Sequence, residues 1–232
     1  GRAVCILAVD QPLGYDAATH TVWQAQAHGA PLRGLLDSDP ALPARVARAL
    51  AAVHAAPSAL AGATPRDRAH WIGEVRRRQT KIARAVPELA ARVGRVADAI
   101  ERGADLLPGA AQTLIHGDCH PEQMWVDAGR VVLFDFDEFT LGDPLEDLAQ
   151  FVTKLGDERQ ASGFAAGLIA AYAAEAPDRF DPQRLQWHLA VQQLLQASRA
   201  FVFQIAGWRT ELERRLWRAE LLAVPHATET AT

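Results

Sequence analysis

Apolar residues recur along this chain in two rhythms, and the change from one to the other divides it. Over the first forty residues the apolar runs are short. Residues 4–9 (VCILAV) read as a strand, broken at Pro12-Leu13-Gly14. Residues 20–27 (HTVWQAQA) predict a second strand, His28-Gly29-Ala30-Pro31 a turn, and residues 32–36 a short helical turn or loop. Two or three strands without a helix to cover them cannot stand alone, so they must lean on the helical remainder of the chain. From Ala41 the spacing turns helical. Leu42, Val46, Ala49, Leu50 and Val53 share one face, and Pro57 ends that helix. Ile72, Val75, Gln79, Ile82 and Val86 predict the next. Pro87 opens another, with Leu89, Val93, Val96 and Ile100 inward and Gly103 and Pro108-Gly109 closing this helical part. Beyond residue 143 the rhythm is helical again. Helices are expected from Pro144 to about Lys154, stopped by Gly156, then over 163–174, 182–206 and 211–222. In the longest, Trp187, Val191, Leu194, Ser198, Phe201 and Ile205 recur at helical steps. Ser198 is its one polar member, a small hydroxyl suited to bonding back to its own helix or to letting a neighbour approach.

Between these helical parts lies a stretch of another kind, LIHGDCHPEQMWVDAGRVVLFDFDEFTLGDPLEDL, residues 114–148. A strand ending at Ile115 delivers His116-Gly117-Asp118 to a loop. Met124-Trp125-Val126 then pairs with residues 131–134 as a hairpin turned at Asp127-Ala128-Gly129. Residues 131–134 are apolar at every position, as expected of a strand covered on both faces. Asp118, Gln123 and Asp135 are thereby expected at one end of the hairpin. Two carboxylates and an amide oxygen suit a hard cation such as Mg²⁺. A carboxylate not consumed by metal can accept a hydroxyl proton. That pairing fits phosphoryl transfer, where positioning and charge neutralisation supply most of the catalysis.

Composition narrows the classes. Of 232 residues, 49% are hydrophobic and 22% charged, which permits a real core. A net charge of -4, with no basic tail or aromatic-basic stripe, gives no reason to expect nucleic acid. Cys5 and Cys119 are too few for a disulfide scaffold, and no run is long and apolar enough for a signal peptide or membrane span. A cytoplasmic location is expected. The only lysines are Lys81 and Lys154, and this arginine bias with the abundant alanine points to a GC-rich bacterial gene.

The ordered set His116-Gly117-Asp118-Cys119-His120-Pro121-Glu122-Gln123, Leu133-Phe134-Asp135-Phe136, Leu141-Gly142-Asp143-Pro144 and Asp147-Leu148-Ala149 resembles the aminoglycoside phosphotransferase / choline kinase family. Ala51-Ala52-Val53-His54-Ala55 resembles the family's helix before the catalytic half, and the late helices follow more loosely. The resemblance implies a protein-kinase-like α+β fold with a mainly helical C-lobe and a catalytic hairpin. It implies an ATP- and Mg²⁺-dependent phosphotransferase acting on a hydroxyl of a small molecule such as an antibiotic, sugar or amino alcohol. Asp118 would be the catalytic aspartate and Asp135 a metal ligand. Gln123 stands where the family has asparagine, as second metal ligand, and Asp137 replaces the glycine that comes after the metal-binding aspartate. His116 and His120 support the catalytic loop. The implied organisation is a remnant of N-lobe strands and hinge over 1–36, the C-lobe over 37–225, and a flexible tail over 226–232.

Upstream, Gly1, Gly14, Gly29 and Gly34 are too scattered for a phosphate loop, and no lysine precedes Lys81. Most of an N-lobe is expected to be missing from this chain, whether by excision or by loss of ordinary nucleotide binding, and an arginine such as Arg2 could stand in for the lysine. An inactive pseudokinase or binding module of the same fold is the alternative. A zinc hydrolase built on His116-x-Asp118-x-His120 is a further rival. Several residues carry plainer readings: His120 as a loop histidine satisfied by backbone, Cys119 as a buried small residue, Asp143 and Asp147 as caps and braces of the helix after them. Arg76-Arg77-Arg78 reads as a solvated helix face, and Trp187, Trp208 and Trp217 as helix packing. Asp137 and Glu138 read equally as a solvated loop or as contacts to a cationic substrate. Oligomeric state and acceptor identity are not encoded in any pattern found.

Overall fold

Two apolar clusters organise the chain, and the residues of 114–148 lie against the first of them. The computed structural model describes residues 7–9, 12–26, 28–57, 64–156, 159–204 and 206–223. The expectations for residues 4–6, Arg2, Cys5 and the tail at 226–232 lie outside those residues.

Strands β1 (Leu7–Val9), β2 (Pro12–Asp16), β3 (Thr21–Gln24) and β4 (Ala30–Pro31) precede helix α1 (Leu42–His54). Helices α2 (Arg68–Ala85) and α3 (Ala90–Leu106) come next, then β5 (Thr113–Ile115), β6 (Met124–Asp127), β7 (Arg130–Leu133) and β8 (Thr140–Gly142). Helices α4 (Pro144–Leu155), α5 (Arg159–Glu175), α6 (Pro182–Val202) and α7 (Trp208–Ala223) complete the chain. The α+β class read from the sequence is the one observed.

The first cluster joins α1, α4 and α5 to the hairpin, through Leu50, Met124, Leu133, Leu148 and Phe151. The second joins α2, α3, α6 and α7, through Val75, Ile100, Val191, Leu194 and Leu216. Trp187 ties α6 to α3 by donating from Nε1 to the Ile100 carbonyl at 2.8 Å. The sheet at the hairpin runs β1-β7-β6-β4, with β1 parallel to β7 and the other pairs antiparallel. β7 is thus a central strand, and Val131, Val132 and Leu133 are all buried. Its turn uses left-handed backbone at both Ala128 (φ 46°) and Gly129 (φ 81°), the geometry that matches strand twist in a two-residue hairpin.

Caps fix the helices that carry the site. Asp143 accepts from the Leu145 amide at 3.0 Å with Pro144 in the first turn of α4, and Gly156 stops it at φ 97°. Asp181 caps α6 in the same way, accepting from the Arg184 amide at 2.7 Å. Asp67 caps α2.

Several boundaries differ from expectation, each for a local reason. Pro12-Leu13-Gly14 does not break β structure; it begins β2. Proline is tolerated at the first residue of a strand, and the register shift between Pro12 and Gly14 absorbs the irregularity. Ala30-Pro31 is not only a turn but a short strand on β6, admitted by Gly29 at φ 107°. α3 runs past Gly103 to Leu106, and α5 begins at Arg159 rather than Gly163. α6 ends at Val202, four residues early, where Gln204 turns left-handed (φ 52°), and α7 begins at Trp208. Trp187 is buried and Trp208 packs on Phe201, but Trp217 is 51% exposed and is not core. The β2–β3 pair leaves Leu13, Tyr15, Val22 and Trp23 exposed.

Phe151 is fully buried and stacks on Phe164 at 6.1 Å between centroids. Phe151→Ala is expected to cost about 3–5 kcal/mol in equilibrium urea unfolding. Trp217→Ala should cost roughly 1 kcal/mol or less. Equal costs would contradict this assignment of the core.

Candidate active site

The loop after β5 is held from beneath by one buried carboxylate. Asp147, fully buried on α4, accepts from the backbone amides of His116 at 2.7 Å and Gly117 at 2.9 Å. His54 at the end of α1 donates from Nε2 to the same carboxylate at 3.1 Å, and the Tyr172 hydroxyl donates to His54 Nδ1 at 2.7 Å. Burial alone would raise the Asp147 carboxyl. The His54 hydrogen bond, the His116 ring and the His116 amide outweigh it and hold the group below the usual carboxylate range. Asp147 is therefore a brace, as expected, but of the loop rather than of its own helix.

Gly117 has to be glycine. Its φ is +80°, and a Cβ there would lie 2.1 Å from the Glu138 carbonyl oxygen. Its own carbonyl accepts from Arg66 Nη1 at 2.7 Å and Gln150 Nε2 at 3.0 Å. His116 is buried; its Nε2 donates to the Phe134 carbonyl at 2.7 Å and its ring packs on Phe136. This is the structural role read for it, and it takes His116 away from any zinc cluster with Asp118 and His120. Among the described residues no three His, Cys, Asp or Glu side chains gather as a metal cage.

Asp118 leaves this platform partly exposed, facing a cleft of about 510 Å³ also lined by Trp71, Gln150, Gln192 and Ser198. Its carboxylate pairs with Lys154 of α4 and lies 3.5 Å from His120 Nε2. The hydrogen bond from His120, aided by Lys154 and opposed by partial burial, holds it well below the usual carboxylate range. His120 is not satisfied by backbone. Its Nδ1 meets Glu122 Oε2 at 2.9 Å, Glu122 pairs with Arg33, and Arg33 donates to the Lys154 carbonyl at 2.8 Å. The relay closes on α4 where it began.

Gln123 and Asp135 come together at the end of the hairpin, Nε2 donating to Oδ2 at 2.6 Å. The Phe134 amide donates to the Gln123 carbonyl at 3.0 Å, which carries the ladder pairing up to Asp135. Asp135 is exposed and left-handed at φ 59°, a conformation that costs a non-glycine residue energy and is concentrated at functional sites. Among the described residues Asp118 makes no hydrogen bond to either, so the structure pairs two of the three expected residues and sets Asp118 across the loop against Lys154. The donor set, one exposed carboxylate with an amide whose oxygen and nitrogen can exchange places, fits a cation that completes its shell with water and phosphate oxygens, as Mg²⁺ does.

Other residues resolve plainly. Cys119 is buried, and burial pushes its thiol far up, so it is no nucleophile. Asp143 caps α4 and binds Arg184 of α6 at 2.9 Å. Arg76 pairs with Asp98 at 2.8 Å on α3, and Arg77 pairs with Glu74. Glu138 pairs with Arg66, while Asp137 is exposed. Lys154, Glu146 and Arg66 were not singled out from the sequence. For Glu146 and Lys154 the signal was a pair of acids inside the apolar run PLEDLAQF and one of only two lysines seven residues after Asp147; Arg66 carried none.

The arrangement is that of a kinase-like phosphotransferase: a braced aspartate loop, a hairpin ending in a second acid, and a helical floor. A family model described as the phosphotransferase enzyme family matches residues 7–188, and the chain belongs to that family. A choline/ethanolamine kinase family protein from Mesorhizobium loti is similar in structure, with TM-score 0.70 and 18% identity over 94% of this chain and 75% of that one. The aminoglycoside phosphotransferase APH(4)-Ia in complex with AMP-PNP and hygromycin B gives TM-score 0.70 and 19% identity over 95% and 78% of the two chains. The choline kinase LicA from Streptococcus pneumoniae gives 0.64 and 18% over 93% and 75%. These likenesses establish the protein-kinase-like fold. Curated protein sequences gave no match.

Beside Asp147, Glu146 is buried against Trp71 Nε1 (3.0 Å) and Arg66 Nη1 (3.1 Å). Burial and the Asp147 charge push its carboxyl from 4.5 up to about 8. The folded state thus prefers Glu146 protonated. The stability this contributes is complete below the unfolded value and is lost as pH rises toward about 8. Glu146→Gln is expected to melt increasingly above wild type as pH goes from 5 to 8.5, by about 2 °C or more. A melting difference that does not change with pH would contradict it.

Proposed function

We propose that this chain transfers the terminal phosphoryl group of ATP to a hydroxyl of a small molecule held in the cleft at Asp118. The observation that carries the reading is Asp118 itself: an ionised carboxylate on a braced loop, open to a cleft, with the Gln123–Asp135 pair on the same loop-and-hairpin unit. Family membership supports the reaction class, and nucleotide and aminoglycoside bound in a structure of the same fold support the choice of donor and of a small acceptor. The cytoplasm, where ATP is plentiful, suits it, and no helix among the described residues is long and apolar enough to cross a membrane.

In this reading Asp118 orients the acceptor hydroxyl and takes its proton. The acceptor oxygen bonds to the γ-phosphorus as the bond to the β,γ-bridging oxygen breaks, and ADP leaves. A carboxylate held this low is a weak base, so its main contribution is orientation, with proton transfer late, as suits a loose transition state. His120 first and Lys154 after it keep Asp118 charged and set its direction. Asp135 and Gln123 would hold Mg²⁺, which supplies charge neutralisation on the phosphates when bound.

A second reading, a binding module without turnover, draws on Lys154, which occupies the Asp118 oxygen that a hydroxyl would need. Turnover separates the two. With Mg-ATP and a panel of hydroxylated acceptors, ADP release is expected to depend on acceptor. Asp118→Asn should lower kcat by about 10²-fold or more with little change in nucleotide KM. Acceptor-independent ADP release, or full activity of the variant, would overturn the proposal.

A further inference from the structure

Among the described residues the cleft beyond Asp118 holds more unpaired buried donors than acceptors: Arg78 Nε and Gln192 Nε2, with the Ser198 hydroxyl, stand against Gln150 Oε1. Four basic side chains line it, Arg66, Arg78, Lys154 and Arg199, against three acidic ones, in a chain whose overall charge is -4. Each of the three carboxylates already has a cation from the chain. Glu74 pairs with Arg77 and lies 3.3 Å from Arg78, Asp118 pairs with Lys154, and Glu138 pairs with Arg66. The arginines are not so fully answered. Among the described residues Arg199 on α6 has no carboxylate within ion-pair distance, and its guanidinium lies 5.4 Å from the centre of the Phe203 ring. Arg78 on α2 must share Glu74 with Arg77, and its Nε is buried without an acceptor. Burial first, then the Arg199 charge, draws the Arg78 guanidinium below its ordinary value.

Two further groups point the same way. Gln192 is 3% exposed with its Nε2 unpaired, and Ser198 is fully buried with its hydroxyl unpaired. Both line the cleft. Of the two roles its place in the apolar pattern allowed, Ser198 does not take the bond back to its own helix. Buried donors are almost always paired in folded proteins, and an amide nitrogen can only donate.

We infer that the acceptor carries an anionic group, a carboxylate or a phosphate, received by Arg78 and Arg199 with Gln192 and Ser198 donating beside them. That the anion belongs to an acceptor rests on the phosphotransferase reading; the anion site itself rests on the cleft's own side chains. Arginine suits this task because its planar fork matches both oxyanions. A polycationic acceptor would add charge to an existing surplus and would have to displace cations from Glu74 and Glu138. The hydroxyl end of the acceptor would lie toward Asp118 and the anionic end toward α2 and α6.

Calorimetric titration of the full chain at low salt tests this without any turnover, using glycerol 3-phosphate, glycerate, choline and hygromycin B as probes. One or both anions should bind, and their difference tells phosphate from carboxylate. Arg199→Gln and Arg78→Gln should each weaken that binding about ten-fold or more, and Ser198→Ala, which leaves the charge intact, should weaken it less. Arg92→Gln, which removes an equal charge paired with Glu220 elsewhere, should leave it unchanged. Melting curves verify that each variant folds. Absence of anion binding, or equal binding by Arg199→Gln and Arg78→Gln, overturns the inference. So does tighter binding of choline or hygromycin B than of either anion. An anion bound at the arginines but never phosphorylated would keep the site and remove the phosphotransferase reading; phosphorylation of choline with no anion binding would do the reverse.

Discussion

The site depends on the burial of one negative charge. Asp147 has no solvent to stabilise it, so three donors must converge on it: two consecutive amides of the loop after β5 and the imidazole of His54. Two adjacent backbone N–H groups aimed at one carboxylate fix the path of residues 116–117, and with it the exit direction of Asp118. A buried ion left without its donors is strongly destabilising, so helix α1, helix α4 and the loop are obliged to meet. Glu146 obeys the same geometry. Forced in beside Asp147 it cannot ionise easily, and it bonds Trp71 and Arg66 instead, which carries the brace on to α2 and to the Gly117 carbonyl.

Above this platform the charges are arranged in a gradient of availability. The deepest acid is saturated with donors. Asp118, partly exposed, shares its oxygens with Lys154 and His120. Asp135, exposed and in a strained backbone, has only the Gln123 amide among the described residues. Groups nearer the surface are thus freer to exchange present partners for a substrate hydroxyl or a cation. Across the cleft α2 and α6 present guanidinium, amide and hydroxyl donors, with the Glu74 carboxylate among them. Arg66 and Lys154 lie beside Asp118 in the same cleft, so cations line it from both walls.

Much of this was legible in the sequence because it is local. The hairpin is implied by an apolar run next to Asp127-Ala128-Gly129, and the helices by apolar periodicity with aspartate-proline starts. The ordered set running from His116-Gly117-Asp118 to Asp147-Leu148-Ala149 was enough to find the family, where one tripeptide would not have been. What was not legible is long-range. Nothing near Lys154 says that it reaches Asp118, 36 positions away, and nothing near His54 says that it meets Asp147. The reading of Pro12-Leu13-Gly14 as a break failed because an edge strand tolerates proline where a central one does not. Which of its two roles Ser198 takes was out of reach for the same reason: no spacing along α6 encodes the cleft that the residue lines.

Amide hydrogen exchange at His116 and Gly117 tests the brace most directly. Both amides are in a loop, yet both donate to a buried carboxylate, so they should exchange as slowly as the core helices and far more slowly than the amide of exposed Asp137. Asp147→Asn should then accelerate both by about 10²-fold or more while leaving the core of α6 protected. Exchange of His116 and Gly117 in the wild-type chain at the rate of Asp137 would contradict the account.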